Sequence, residues 1–265
     1  MKIARRILIT VAVTLTVVFI GIYWIAPAAL SLYSSKKALA ITRVVPTNLR
    51  DQSVSQVKRA KLSHLGYEFD VPWNDLDGSK TELFPKDKPQ KSRVVLSFRS
   101  GLKLIVTSVR PHEMADEFMR GDIKMSAQAF AAVFGQQAAD SDYAFMKRVF
   151  EFSPDKMHPW ALSTVVASRE QVLLLTKTIV PSKPAETGIF NVHNASYQGF
   201  QQGNPEIRQD ALLLNLYSAD GGVEMIFLQK NYANSHGVTQ PEINRIVESL
   251  HKAVPAEVAS SEKSE

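Results

Sequence analysis

The sequence predicts an N-terminal transmembrane helix followed by an α+β domain, in which an antiparallel sheet with hairpins packs against several helices. Three observations support this fold class. Residues 7–35 are 29 consecutive residues without a charge. Beyond them, alternating strand patterns are joined by hairpin turns, and amphipathic helical patterns separate two groups of strands. The 230 residues beyond the uncharged run are enough for a domain with a normal core.

The uncharged run has the length of a membrane span. A helix rises about 1.5 Å per residue, so about 20 apolar residues cross a hydrocarbon core about 30 Å thick. Tyr23 and Trp24 stand at its distal end, where aromatic rings favour the headgroup layer, and Pro27 then ends the helix. We therefore predict a transmembrane helix over residues 7–27.

A cleaved signal peptide is the competing interpretation. Small residues occur at cleavage-like spacing before Ala28 and again before Ala40. Signal h-regions are about 7–15 residues long, however, and this apolar stretch is longer. The length therefore favours an uncleaved anchor.

Flanking charges predict the orientation of the anchor. Lys2, Arg5 and Arg6 precede it and favour a cytoplasmic N-terminus, although Lys36 and Lys37 on the other side weaken the contrast. The C-terminal domain is then expected outside the inner membrane, on its periplasmic side. The predicted organisation is a basic tail at 1–6, the anchor at 7–27, a linker at 28–60, the α+β domain at 61–253 and a disordered tail at 254–265.

The net charge of the domain argues against a nucleic-acid partner. The whole chain carries a formal charge of +5. Residues 1–43 contain six basic residues and no acidic ones, so 25 basic and 26 acidic residues remain for the rest of the chain. A near-neutral domain does not support a phosphate-tracking surface. The chain has no cysteine, which excludes a lipoprotein anchor, disulfides and thiolate metal ligands.

The strand signals are hairpins. Residues 94–98 and 102–109 flank a turn that contains Gly101, and residues 212–217 and 223–228 flank Ser-Ala-Asp-Gly-Gly. An alternating pattern predicts a further strand over 67–71. Residues 74–92 are rich in Asp, Lys and Pro and predict a long loop. Hairpins without crossover helices indicate an antiparallel sheet and hence an α+β fold.

Helical patterns fill the middle and the end of the chain. We predict helices over 122–134, with Asp122 as N-cap, and over 140–152. Ser168 and Gln171 predict the start of a third helix that ends before Pro181, and Thr239 with Glu242 predicts the closing helix.

Two short stretches resemble parts of PsbP-like domains. They are residues 66–73, Gly-Tyr-Glu-Phe-Asp-Val-Pro-Trp, and the closing helix. The resemblance includes no functional motif and therefore implies no activity.

One short motif has the beginning of a metal-binding pattern. His112-Glu113-Met114-Ala115-Asp116 starts like a zinc-protease motif, but the fifth position holds Asp116 instead of the second histidine. Proline followed by acidic residues is also an ordinary helix start. We therefore predict no metal and no cofactor, and His112, Glu113 and Asp116 are the weak catalytic candidates. The acidic pair Asp140 and Asp142 is likewise typical of a first helical turn.

These patterns give two functional hypotheses. The leading one is a non-enzymatic, single-pass envelope protein whose domain acts as an interaction or assembly module; its partners are membrane lipid and an envelope protein. The alternative is a membrane-tethered hydrolase or ligand-binding protein. Its site would combine His112, Glu113 and Asp116, or His158 and His193.

Overall fold

The computed structural model of the protein describes residues 40–57, 60–84, 93–121, 124–156, 164–233 and 237–253. Over these residues the chain has the predicted α+β fold, with an eight-stranded sheet, a three-stranded sheet and six α-helices. The strands are β1 (Thr47–Asn48), β2 (Ala60–His64), β3 (Tyr67–Val71), β4 (Glu82–Phe84), β5 (Arg93–Ser97), β6 (Lys103–Val109), β7 (Ile189–His193), β8 (Gln198–Gln202), β9 (Ala211–Ser218), β10 (Gly221–Leu228) and β11 (His251–Lys252). The α-helices are α1 (Glu113–Arg120), α2 (Ala127–Phe134), α3 (Gln136–Asp140), α4 (Asp142–Glu151), α5 (Thr164–Ile179) and α6 (Gln240–Ser249).

The large sheet is mixed, whereas the sequence predicted an antiparallel one. Its strand order is β1-β7-β8-β9-β10-β6-β5-β4, and every neighbouring pair is antiparallel except β1 and β7, which run parallel. Most of the domain separates β1 from β7 in sequence, so no hairpin dictates their relative direction. The small sheet, β11-β3-β2, is antiparallel.

Both predicted hairpins form, and their strands come together in one sheet. β5 pairs with β6, β9 pairs with β10, and the pairing of β10 with β6 joins the two hairpins. The predicted loop at 74–92 contains the short edge strand β4, which pairs with β5. Three residues are too few to give a readable alternation, which explains why the sequence did not reveal β4.

The start of α6 agrees with the prediction from the sequence, whereas the starts of α2 and α5 do not. The Glu242 carboxylate accepts the Thr239 N–H at 2.8 Å and the Thr239 hydroxyl at 3.0 Å, so α6 begins as predicted. The N-cap of α2 is Ser126, whose hydroxyl accepts the Ala129 N–H at 3.2 Å, and not Asp122. Ser168 lies inside α5 rather than at its start.

Two apolar cores lie on opposite faces of the large sheet. On one face, α6 and the small sheet cover leucines 212, 214 and 216 of β9. On the other face, the helices that precede β7 pack phenylalanine side chains over β7, β8 and β9. The buried aromatic residues of this helical core are Phe130, Phe134, Phe145, Phe150, Phe200 and Tyr217. The molecule therefore has three layers, with the large sheet in the middle.

A buried lysine joins α4 to α5. Lys177 is fully buried, and its Nζ donates hydrogen bonds to the carbonyls of Phe150, at 2.8 Å, and Phe152. These carbonyls belong to the C-terminal end of α4, where a cation is electrostatically favoured. Burial lowers the pKa of Lys177 from 10.5 to about 8.

The first described residues pack on the domain. A short 3-10 turn, Ala40–Arg43, contacts α5, and Ile41 is only 5% exposed within the helical core. Residues 40–48 fall inside the segment predicted as a linker. The predicted membrane helix, 7–27, lies outside the described residues, and among the residues that are described no helix is long and apolar enough to span a membrane.

Candidate functional site

Two clefts flank the turn that joins β7 to β8. The first, which we call the His112 cleft, has a volume of about 370 Å³ and lies between the starts of α1 and α4 and the ends of β8 and β9. The second, the Asn244 cleft, has a volume of about 500 Å³ and lies between α6, β7 and residues 48–54. Asn194 and Ala195 line both clefts. The turn is therefore the wall between them.

In the His112 cleft, a carboxylate of one helix caps the start of another. His112 precedes α1 and has a φ of 60°, in the left-handed region. Asp142 of α4 is 6% exposed, and its carboxylate accepts the N–H groups of Glu113 and Met114, each at 3.0 Å. Asp142 therefore satisfies N–H groups that α1 leaves free, which is a structural role.

The catalytic candidates from the sequence do not converge. His112 stands before the helix in a left-handed conformation, so it does not share a helical face with Asp116 as the zinc motif requires. The Glu113 carboxylate accepts the Arg110 N–H at 3.0 Å, and the Asp116 carboxylate lies 3.5 Å from Nε of Arg120. Within the described part of the chain, no three His, Asp or Glu side chains are placed to hold a metal ion.

Burial raises the pKa values of two ionisable groups of the His112 cleft, Asp142 and Tyr217. Burial raises the pKa of the Asp142 carboxyl, and the N–H groups of Met114 and Glu113 oppose that shift. Burial also raises the pKa of the Tyr217 phenol, with a further contribution from the Glu224 carboxylate. Tyr217 is therefore a neutral phenol at neutral pH. The groups that the cleft offers to a ligand are mainly hydroxyls and amides.

The Asn244 cleft combines apolar surface with amide side chains. Leu49, Val54, Val192 and Val247 provide apolar lining. The polar lining consists of Asn48, Gln52, Asn191, His193, Asn194, Asn244 and Glu248. Asn194, Asn244 and Asn191 use their amide N–H groups within the domain. A peptide in this cleft would therefore depend on the apolar lining, on Gln52 and on backbone groups at the edge of β7.

The direction of backbone groups in β7 follows from its pairing with β8. The Gly203 N–H donates to the Gly188 carbonyl at 2.8 Å, and the Asn194 N–H donates to the Tyr197 carbonyl at 2.9 Å. Backbone groups alternate in direction along a strand, so the even-numbered residues of β7 face β8. The N–H and C=O of His193 consequently point away from β8.

This outward edge is where the Asn244 cleft begins. The pairing between β1 and β7 ends at Asn48 and Asn191, and among the described strands none continues it to His193. An edge position of this kind can pair with an added strand. His193 thus lines the Asn244 cleft, His112 lines the other cleft, and His158 lies outside the described residues.

Asn194 holds the shared wall in place. Its Nδ2 donates to the carbonyls of Val247, at 2.6 Å, and Leu250, at 2.9 Å, at the C-terminal end of α6. Its Oδ1 accepts the N–H groups of Ser196 and Tyr197, both at 2.8 Å. One side chain therefore shapes the β7–β8 turn and fixes it to the helix end.

Removing this side chain is expected to loosen both clefts. We expect Asn194→Ala to lower the free energy of unfolding by about 2 kcal/mol, because helix-end carbonyls and turn N–H groups lose their partners. Asn194→Asp keeps the accepting oxygen but places a carboxylate against two carbonyls. It should destabilise the domain at least as much at pH 7, and recover once the carboxyl is protonated below about pH 4.

Denaturant unfolding of the full chain in detergent, followed by circular dichroism, checks this expectation. Asn191→Ala is the matched control, because its amide makes one exposed hydrogen bond, to Asn48. If the Asn194 and Asn191 variants unfold at the same denaturant concentration, Asn194 does not anchor the turn.

Comparison of the chain with protein-family models, curated proteins and solved structures finds no match. The site is therefore assigned from the chain's own geometry.

Sequence reasoning did not reveal the contacts made by Asn194, Asp142 and Lys177. Their partners lie far away along the chain, 53 and 56 residues for Asn194 and 28 and 29 residues for Asp142. No local pattern marks such contacts. The burial of Lys177 could have been predicted, because it lies three and four residues after Leu174 and Leu173, on the same buried face of the helix.

Proposed function

We propose that this chain is a single-pass envelope membrane protein whose α+β domain binds a protein partner on the outer side of the membrane. The observation that carries the proposal is the run of 29 uncharged residues directly after Lys2, Arg5 and Arg6. In this proposal residues 7–27 remain in the inner membrane with the N-terminus in the cytoplasm, and the domain projects into the periplasm.

The placement of the polar side chains supports binding over catalysis. Asp142 is used to cap α1, Glu113 accepts a backbone N–H, and Asp116 is paired with an arginine. His112 and His193 stand in separate clefts. A hydrolase would need at least two such groups within hydrogen-bond reach of one substrate atom.

The Asn244 cleft is the proposed binding site, and an extended segment of the partner is the proposed ligand. The outward N–H and C=O of His193 would pair with the segment's backbone, as in other strand-addition complexes. The amide of Gln52 would bind a further backbone group, and the apolar lining would receive alternate side chains. The Asn244 amide donates to the carbonyls of Asp51 and Ser53 and so holds this wall of the cleft in place.

Membrane anchoring is tested by carbonate extraction of membranes and by protease accessibility of the domain. The chain should resist alkaline carbonate extraction of membranes and keep its N-terminal residues. Its domain should be digested by protease added to spheroplasts but not to intact cells. Release by carbonate, or a mature N-terminus beyond Ala28 or Ala40, would overturn the membrane-anchored part of the proposal.

Partner binding is tested by photocrosslinking in cells. A crosslinking amino acid at Gln52 should give discrete adducts, whereas one at the exposed Glu82 of β4, on the opposite sheet edge, should not. His193→Pro, which removes the edge N–H, should lower the adduct yield several-fold, and His193→Ala should leave it unchanged. An equal loss with His193→Ala would indicate that the imidazole, rather than the edge N–H, contacts the partner, and would overturn strand addition.

A further inference from the structure

We propose that the exposed face of α5 that carries Leu175 and Ile179 rests on the lipid bilayer, so that the domain lies against the membrane in a fixed orientation. This inference depends on the proposed anchoring by residues 7–27. It adds a second membrane contact, made by the folded domain itself.

The apolar exposure of α5 is concentrated on one side of the helix. Leu175 is 61% exposed and Ile179 is 72% exposed, and they are one helical turn apart, so they form adjacent surface. The opposite side of the same helix buries Leu173, Leu174 and Lys177. The C-terminal half of α5 therefore presents large apolar side chains both to the core and to the outside.

The first described residues lie beside α5, so the segment that leads to the predicted anchor joins the domain there. The Ala40–Arg43 turn contacts α5, and Ile41 belongs to the same core as Leu173. Only twelve residues, 28–39, separate the predicted anchor from Ala40. Twelve residues of random-coil chain have a root-mean-square span of about 20 Å, whereas a domain of about 200 residues is about 40 Å across. The α5 side of the domain therefore stays closer to the membrane than the opposite edge.

The positive charge of residues 28–39 and the anchoring of the domain both favour a lipid bilayer as the surface that covers Leu175 and Ile179. The tether contains Lys36 and Lys37 and no acidic residue, which suits the anionic headgroups of an envelope membrane. Two apolar side chains would bind a membrane weakly from solution. Tethering raises the effective concentration of the surface, so a weak contact is enough to orient the domain.

Single-cysteine labelling tests this contact. The chain has no native cysteine, so each variant carries one labelling site. The full chain is reconstituted into phosphatidylethanolamine–phosphatidylglycerol vesicles that contain doxyl-labelled lipid. An NBD label is placed at Leu175→Cys or Ile179→Cys. Leu83→Cys is the matched control, because Leu83 is also leucine, is 55% exposed and lies in β4 at the far edge of the sheet. Val17→Cys reports on the anchor.

Labels at 175 and 179 should be quenched several-fold more strongly than the label at 83. Quenching at 17 together with equal, weak quenching at 83, 175 and 179 overturns the inference and leaves the anchor intact. Weak quenching at 17 overturns the anchor itself. Oxidative crosslinking of two unlabelled Leu175→Cys chains to each other, without lipid quenching, would show that a second copy covers this face and would also overturn the inference.

Discussion

Replacing Gly199 with alanine is expected to lower the free energy of unfolding by about 3 kcal/mol or more. Gly199 lies in β8 and pairs with Leu216 of β9. A Cβ at this position would stand 1.8 Å from the carbonyl oxygen of Asn215 and 2.9 Å from Cα of Leu216. These are backbone atoms of a strand paired on both sides, so the clash is relieved only if β8 and β9 separate.

Gly78→Ala is the matched control for this substitution. Gly78 opens a short 3-10 turn, and no atom lies within 4 Å of a Cβ built there. Its variant should remain within about 0.5 kcal/mol of the wild type. Denaturant unfolding of both variants as full chains in detergent provides the measurement. Equal unfolding midpoints for the two variants would mean that β8 and β9 do not approach each other as closely as described.

The second large effect is a pH dependence of the free energy of unfolding, caused by Lys177. Its folded-state pKa of about 8 is below its usual value of 10.5. Below pH 8 both the folded and the unfolded chain carry the proton, and the full cost of burying the charge is present. Between pH 8 and 10.5 the unfolded chain binds more protons, so raising the pH stabilises the folded state. We expect a contribution of up to about 3 kcal/mol over this range.

Lys177→Met isolates this contribution from the other groups that titrate in the same range. The free energy of unfolding of wild type minus that of the variant should rise as the pH is raised from 8 to 10.5. Other lysines and tyrosines titrate in both proteins and cancel in the difference. Unfolding curves at several pH values give the profile. Parallel profiles for the two proteins would refute the titration of a buried lysine.

Elements with a strong local pattern could be predicted from the sequence. The β9–β10 hairpin has Ser-Ala-Asp-Gly-Gly between two apolar runs, and α6 has both a capping box and the buried residues Ile243, Ile246 and Val247 at helical spacing. In each case the local preference and the tertiary packing agree. The fold class followed from such elements.

Contacts between distant residues could not be predicted. The parallel pairing of β1 with β7 connects Thr47 to Phe190, and neither segment carries a sign of the other. The spacing of a zinc helix at His112 is meaningful only if the histidine belongs to the helix. Its left-handed backbone places it outside α1, and a single sequence does not reveal backbone dihedral angles.

The way residues 40–48 join the domain has a mechanical consequence. Ile41 and Thr42 are buried, and β1 follows them along β7. Tension transmitted from an anchored N-terminus would first act on these two buried side chains. It would then load the β1–β7 hydrogen bonds in shear, since they lie across the strand axis. A domain joined in this way receives tension from its N-terminal side directly in the large sheet, through β1 and β7.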